Sequence, residues 1–129
     1  MRLRTFLRSK IHRATVTEAN VDYIGSITLD ENLMEAADLA EYEQVSVADL
    51  ENGERLETYV IRGKRGSGVV GINGAAALKI TVGDKIIIFA YMQITDDQIV
   101  GLKPKIVFVD EHNRVTDVAR LETPETRLA

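Results

Sequence analysis

Alternating apolar and polar residues along much of the chain predict a protein built mainly from β-strands. The most apolar segment, residues 85–94, is expected to be a central strand. Shorter segments with strand-like composition are residues 11–17, 22–29, 45–50, 55–62, 69–72 and 105–110. Many short strands separated by glycine-containing turns are typical of a small β-barrel.

Two short helical pieces are expected between the strands. Residues 31–39 follow Asp30, which suits the N-cap position, and Leu33, Met34 and Ala37 form an apolar stripe at helical spacing. Residues 75–78 are predicted to form a single helical turn. A chain of 129 residues is expected to fold as one domain. The predicted fold class is therefore mainly β, a single barrel with short helices.

Turn and tail signals complete the predicted layout. Asn52-Gly53 predicts a hairpin between two strands, with positive φ at both residues as a type I′ turn requires. Beyond Asn113 the chain is polar, and residues from about 116 to 129 are expected to form a loose tail.

Composition excludes several functional classes. The chain has 16 Lys and Arg against 20 Asp and Glu, a net charge of −4, which disfavours general nucleic-acid binding. Cysteine is absent, so disulfides, thiolate catalysis, iron–sulfur clusters and cysteine-based zinc sites are excluded. The two histidines, His12 and His112, have no metal-ligand spacing, and no metal site is expected.

The ends of the chain and its apolar runs predict a cytoplasmic protein. No segment approaches the ~20 apolar residues that span a bilayer. The N-terminus is basic, but Lys10, His12 and Arg13 interrupt the apolar run that a signal peptide would need.

Two further motifs, one glycine-rich and one basic, are weak evidence for a binding site. Residues 66–71 match the letters of the dinucleotide fingerprint, but they lead into a strand-like segment, and Tyr91 stands where an acidic residue is required. Arg62, Lys64 and Arg65 form a basic cluster that is more often a solvated loop face than an anion site.

The dipeptide Gly25-Ser26 offers a possible covalent reaction. A serine hydroxyl can reach the carbonyl carbon of the preceding residue through a five-membered ring, and attack there converts the peptide bond into an ester. Glycine permits the backbone strain that such an attack requires. Gly-Ser is also a common turn dipeptide, and that interpretation is favoured for the dipeptide alone.

Two strand faces carry candidate binding groups. Lys10 and His12 share a face by two-residue spacing, although this pattern is more often an exposed edge strand. Arg55, Glu57 and Tyr59 likewise share one face, where arginine offers a planar fork for a carboxylate and tyrosine offers a proton. The common alternative is a cross-strand charge pair beside a packed tyrosine.

Taken together, these residues resemble the pyruvoyl-dependent aspartate 1-decarboxylases. The resemblance covers residues 1 to about 115, in family order and with near-family spacing. The matching segments are residues 10–13 (KIHR), 23–30 (YIGSITLD), 52–53 (NG), Arg55, 58–59 (TY), 65–67 (RGS), 72–77 (INGAAA) and 82–84 (VGD).

The resemblance implies a double-psi β-barrel that assembles as a homotetramer with active sites between subunits. It also implies self-cleavage between Gly25 and Ser26 into a β-chain of residues 1–25 and an α-chain of residues 26–129. Ser26 would become a covalent pyruvoyl group, which replaces pyridoxal phosphate. The implied reaction converts L-aspartate into β-alanine and CO₂ through a Schiff base to that group, for pantothenate biosynthesis.

The resemblance also implies roles for individual residues. Thr58 and Asn73 would assist cleavage, and Tyr59 would protonate the carbanion that decarboxylation leaves. Arg55 and Lys10 would bind the two substrate carboxylates. Further implied substrate contacts are Thr58, Gly74, Ala75 and Ala76, and the implied supporting residues are His12 and Tyr23. Strict alternation places Thr58 on the strand face opposite to Arg55 and Tyr59, so both faces can serve the site only if the strand bulges or borders two parts of it.

Two alternatives remain open at this point. The chain could be a non-catalytic barrel that uses the loop at residues 62–65 to bind an anionic partner such as DNA. It could also be a relative that folds but never processes. Whether cleavage is spontaneous or needs a maturation helper protein is left undecided.

Overall fold

A computed structural model describes residues 1–124 of the chain, and within them nine strands form one mixed sheet in the order β2-β6-β3-β5-β4-β7-β1-β8-β9. The strands are β1 (Leu3–Thr15), β2 (Glu18–Asn20), β3 (Ser26–Asp30), β4 (Gln44–Asp49), β5 (Arg55–Gly63), β6 (Val70–Asn73), β7 (Lys85–Thr95), β8 (Lys105–Val109) and β9 (Val115–Ala119). The helical pieces are α1 (Glu31–Ala37) and two 3₁₀ turns, Gly74–Leu78 and Asp96–Gln98.

The long strands β1 and β7 lie inside the sheet, each with a neighbouring strand on both sides. They pair antiparallel over most of their length, and β1 also pairs with β8 in parallel. In β7, alternate residues are buried, which places Ile86, Ile88 and Ala90 in the core and their neighbours on the outer face. The prediction of a central strand at residues 85–94 is therefore confirmed.

The core lies on the inner face of the sheet and is closed on one side by α1. The apolar stripe of α1, Leu33, Met34 and Ala37, is buried, as its spacing predicts. The mainly β fold class and the short helices are confirmed. No helix among residues 1–124 is long and apolar enough to cross a bilayer.

The loop after β5 is organised by Asp30, the residue that caps α1. Its carboxylate accepts hydrogen bonds from the backbone N–H groups of Asn32 (2.8 Å), Gly66 (3.0 Å) and Gly68 (2.8 Å). Burial alone would raise the pKa of Asp30, but these donors hold it below its ordinary value. This glycine loop leads into β6, not into a helix, so it lacks the context of a dinucleotide-binding loop.

Four predicted elements differ from the structure. The first strand, expected at residues 11–17, is β1 and runs over Leu3–Thr15. Residues 22–25 form a turn and a bend rather than the first half of a strand, so β3 begins at Ser26. The β4–β5 hairpin is present, but Gly53 has positive φ and Asn52 does not, so it is not a type I′ turn. Residues 116–119, expected to be loose tail, belong to β9 and pair with β8. Residues 125–129 of that expected tail lie outside the described residues.

Candidate active site

Ser26 lies at the start of β3, next to Asn73 at the end of β6. The two residues are partners in the antiparallel register, and both are largely buried. Asn73 Nδ2 donates to Ser26 Oγ at 2.9 Å and to Thr28 Oγ1 at 3.0 Å. Ser26 Oγ donates in turn to the carbonyl oxygen of Ile24 at 3.4 Å. The side-chain amide therefore fixes the position of the hydroxyl next to the Gly25–Ser26 bond.

Gly74 allows the backbone to pack directly against Gly25. Its φ is +78°, and a Cβ at this position would lie 2.6 Å from Gly25 Cα, 2.8 Å from Gly25 N and 3.1 Å from the carbonyl oxygen of Tyr23. Both the positive φ and the close approach require glycine here. Gly25 itself lies in a bend just before β3.

The outer face of β5 lies beside this bond. Strands β3 and β5 are parallel, with Ile27 opposite Val60, and one further step of this register places Tyr59 beside Ser26. The regular pairing of β4 and β5 contains no bulge, so Thr58 lies on the inner face, opposite Val45. Thr58 and Tyr59 therefore lie on opposite faces of β5, as strict alternation predicts.

Arg55 lies on the same face as Tyr59 and reaches across the sheet. Its guanidinium carbon is 5.1 Å from the centroid of the Phe89 ring, a cation–π contact. Phe89 of β7 is the register partner of Lys10 in β1. The Phe89 ring therefore holds the Arg55 guanidinium on the side of the sheet where Lys10 lies.

Lys10 and His12 lie together on the outer face of β1. Because β1 pairs with strands on both sides, these residues are not on an edge strand, and the edge-strand interpretation is wrong. Lys10 forms an ion pair with Glu122, and its side chain is only 13% exposed. His12 packs against Phe108, and neither ring nitrogen has a hydrogen-bond partner among the described residues. Burial, followed by the charges of Lys10 and Arg13, lowers the pKa of His12 to about 4, so the ring is neutral at pH 7.

Comparison with known proteins places the chain in a family. The model of the aspartate decarboxylase family matches residues 1–116. The chain belongs to this family. A protein of Caldicellulosiruptor saccharolyticus named aspartate 1-decarboxylase is 57% identical over 116 residues, which cover 90% of this chain and 91% of the relative. A protein of the same name from Clostridium beijerinckii is 51% identical over 121 residues, covering 94% of this chain and 98% of the relative.

The structure brings only part of the expected decarboxylase site together within one chain. Gly25, Ser26, Asn73 and Gly74 meet at one place, and the register puts Tyr59 beside them. Lys10 lies four strands from Ser26 along β3-β5-β4-β7-β1, roughly 19 Å at about 4.8 Å a strand. His12 is on the same distant strand.

The remaining expected site residues surround the Gly25 bend. The Tyr23 side chain is exposed, and its carbonyl oxygen is close to Gly74. Ala75 is exposed and Ala76 half-buried in the 3₁₀ turn that Gly74 begins. No group of three or more His, Cys, Asp or Glu among residues 1–124 is placed to hold a metal ion.

Sequence reasoning missed three participants. Thr28 shares the Asn73 amide with Ser26, and its position two residues after Ser26 on the same strand face was the available signal. Phe89 supports Arg55, and Glu122 neutralises Lys10. Nothing local in the sequence points to the last two, because each contact joins residues that are far apart in the chain.

Proposed function

We propose that this chain is a self-processing aspartate 1-decarboxylase that converts L-aspartate into β-alanine and CO₂, a step that supplies β-alanine for pantothenate biosynthesis. Family membership supports the reaction, and relatives of this chain carry that name. The observation that carries the proposal for the site is the Ser26 hydroxyl, held by Asn73 at 2.9 Å beside a glycine bend. A pyruvoyl group fits this position because it is made from Ser26 itself and needs no separate binding pocket.

Self-cleavage uses groups that are already adjacent. Ser26 Oγ attacks the carbonyl carbon of Gly25, the C–N bond breaks, and an ester forms with a free amino group on Ser26. Loss of the Ser26 α-proton then expels the Gly25 carboxylate and leaves dehydroalanine. Water hydrolyses this enamine to the keto group and releases ammonia. We assign stabilisation of the oxyanion that develops on Gly25 to the Asn73 amide, whose Nδ2 lies 2.9 Å from Ser26 Oγ.

The pyruvoyl group, once formed, supplies an electrophilic carbonyl that accepts the electron pair released with CO₂. Tyr59 delivers a proton to the α-carbon in this proposal, and its position beside Ser26 in the sheet register supports that role. Arg55 offers two parallel N–H donors to one substrate carboxylate, and its stacking on Phe89 holds the fork in place. Lys10 binds the other carboxylate as a point charge, beside the neutral His12.

The position of Lys10 supports a site shared between copies of the chain. Lys10 and Ser26 both lie on the outer face of a curved sheet, four strands apart. A second copy, packed face to face, supplies the Lys10 that a single chain cannot bring to its own Ser26. We therefore propose a cytoplasmic homotetramer with sites between processed α/β protomers, with or without a maturation helper.

The alternative of an anion-binding loop has less support. Arg62 forms an ion pair with Glu31 of α1, and Arg65 forms ion pairs with Glu31 and Glu35. Two of the three cations of this loop are thus neutralised within the chain, which leaves little charge for nucleic acid.

The test is the intact mass of the purified protein under denaturing conditions. We expect two species split at Gly25–Ser26, with the larger about 17 Da lighter than a serine-ended fragment, because ammonia is lost. The Ser26→Ala variant should remain a single species and should release no CO₂ from L-aspartate.

Ser67→Ala is the matched control, because Ser67 also follows a glycine but donates to the carbonyl oxygen of Lys64 at 2.6 Å. It should be cleaved normally at residue 25. Cleavage of the Ser26→Ala chain at this bond would exclude the mechanism, and a fully processed protein that leaves L-aspartate unchanged would exclude the substrate.

A further inference from the structure

The segment after β9 places an acidic side chain on Lys10. Glu122 Oε2 forms an ion pair with Lys10 Nζ. The Glu122 side chain is 40% exposed, whereas that of Lys10 is 13% exposed. The charge of Glu122 also acts on His12, where it raises the pKa against the lowering effects of burial and of Lys10. The Glu122 carboxylate thus neutralises the charge of Lys10 on the outer face of β1.

Sheet register explains why the segment arrives there. Lys10 pairs with Ile106 of β8, and Ile106 pairs with Ala119, the last residue of β9. These three residues lie side by side across three strands, so the chain leaves the sheet next to Lys10. A glutamate three residues later can reach the lysine without any rearrangement of the sheet.

We propose that Glu122 is an internal competitor of the substrate, whose carboxylate occupies the Lys10 cation until a substrate carboxylate displaces it. This inference rests on the proposed function, because it takes Lys10 as the group that binds one carboxylate of a dicarboxylate substrate. A lysine ammonium is a single compact cation. Glu122 and a substrate carboxylate therefore compete for the Lys10 ammonium, and each binds it more weakly when the other is present.

The competition acts between copies of the chain. Lys10 and Glu122 belong to one chain, whereas Lys10 serves the Ser26 site of another copy under the proposed assembly. The segment after β9 of one chain therefore controls access to the site of its neighbour. Its effect falls on substrate affinity, since Glu122 touches neither Ser26 nor Tyr59 and leaves the chemical step unchanged.

The size of the effect follows from the strength of the ion pair. A partly exposed pair of this kind favours the paired state by a factor of roughly two to five. The apparent affinity for substrate is reduced by the fraction of sites in which Lys10 is released. Such a preference leaves about a third to a sixth of the lysines released, so removing the charge should lower the KM for L-aspartate about three- to sixfold and leave kcat unchanged.

The test compares Glu122→Gln with the unaltered protein and with Glu111→Gln. Glu111 lies in the β8–β9 connection, and its recorded ion-pair partner is His112, so its substitution makes the same change in net charge without touching Lys10. Steady-state decarboxylation gives KM and kcat. Titration calorimetry with succinate, a dicarboxylate that has no amino group, gives affinity without turnover.

We expect Glu122→Gln alone to lower the KM and to bind succinate about three- to sixfold more tightly. An unchanged or weaker affinity for both ligands in Glu122→Gln would overturn the inference, as would an equal effect of Glu111→Gln. Failure of the proposed function looks different. In that case no variant releases CO₂ from L-aspartate, and succinate binding still decides whether Glu122 competes. Absence of succinate binding to every variant also overturns the inference.

Discussion

Two adjacent residues, Asn73 and Gly74, determine the surroundings of the Gly25–Ser26 bond. The Asn73 side chain holds the Ser26 hydroxyl from one side, and the missing side chain of Gly74 lets the backbone of Gly25 approach within van der Waals distance. The dipeptide Asn-Gly was visible in the sequence. Its contact with Gly25 depends on the antiparallel register of β3 and β6, which no local pattern encodes.

Gly74→Ala should impair cleavage by displacing Gly25. The added Cβ would lie 2.6 Å from Gly25 Cα, so the bend before β3 must move. Gly53→Ala is the control, because Gly53 has a similar φ of +76° and no atom within 4 Å of the added Cβ. Both variants should lose about 1–2 kcal/mol of unfolding free energy from the left-handed backbone, measured by urea titration. Only Gly74→Ala should show slowed cleavage by intact mass, and equal cleavage rates in both variants would contradict this role.

At the scale of elements, local signals predicted the strands and the helix that bury an apolar face. The stripe of α1 and the alternation in β7 are examples, because burial of one face imposes a period that can be read directly. β9 was missed for the opposite reason. Its residues are mostly exposed, and it is a strand only because β8 offers a free edge. The turn at residues 22–25 has no signal of its own in the pattern, because a glycine within an apolar segment is equally typical of an interrupted strand.

Asp30 connects α1 to the glycine loop, and its substitution should weaken both. In the unaltered protein, three backbone N–H groups donate to the two carboxylate oxygens of Asp30. Asp30→Asn leaves only one acceptor oxygen for these three donors. We expect a loss of about 1–3 kcal/mol of unfolding free energy at pH 7. Because the folded protein lowers the pKa of Asp30, its carboxylate contributes stability above the unfolded pKa, and that contribution is lost as the pH falls through the folded pKa.

The difference between the unaltered protein and Asp30→Asn should therefore shrink from pH 7 towards pH 3. Denaturant titrations at several pH values measure it. A difference that stays constant over this range would show that the charge of Asp30 has no part in holding the loop.

At the scale of the whole molecule, the strand order of the sheet separates the expected site residues into two groups. Ser26 and Tyr59 lie at one part of the outer face, and Lys10 and His12 lie four strands away. All of these residues could be selected from the sequence through the family resemblance. Their separation into two groups could not, because it follows from the strand order of the folded sheet.

If Lys10 and Tyr59 of one site come from two copies of the chain, two inactive variants should complement each other. Lys10→Ala and Tyr59→Phe should each lose most activity alone. In mixed oligomers assembled from equal amounts, about a quarter of the sites should combine an intact Lys10 with an intact Tyr59. Decarboxylation of L-aspartate after co-expression measures this recovery.

The control for complementation pairs Tyr59→Phe with Arg55→Lys. Both residues lie on β5 of the same chain, so no mixed site is intact and no recovery is expected. No recovery with Lys10→Ala and Tyr59→Phe would place Lys10 and Tyr59 in the site of a single chain. Recovery in the control would show that Arg55 and Tyr59 of one site come from different chains.

The strand-rich fold class, the capped helix and the Gly25-Ser26 dipeptide could be read from the amino-acid sequence, because each depends on residues that are close in the chain or on a period set by burial. Which side chains meet could be learned only from the folded chain. The Asn73 amide on Ser26, the glycine contact between Gly74 and Gly25 and the Glu122 carboxylate on Lys10 each join distant segments. Strand order and register create these contacts, and both are set by packing of the whole sheet.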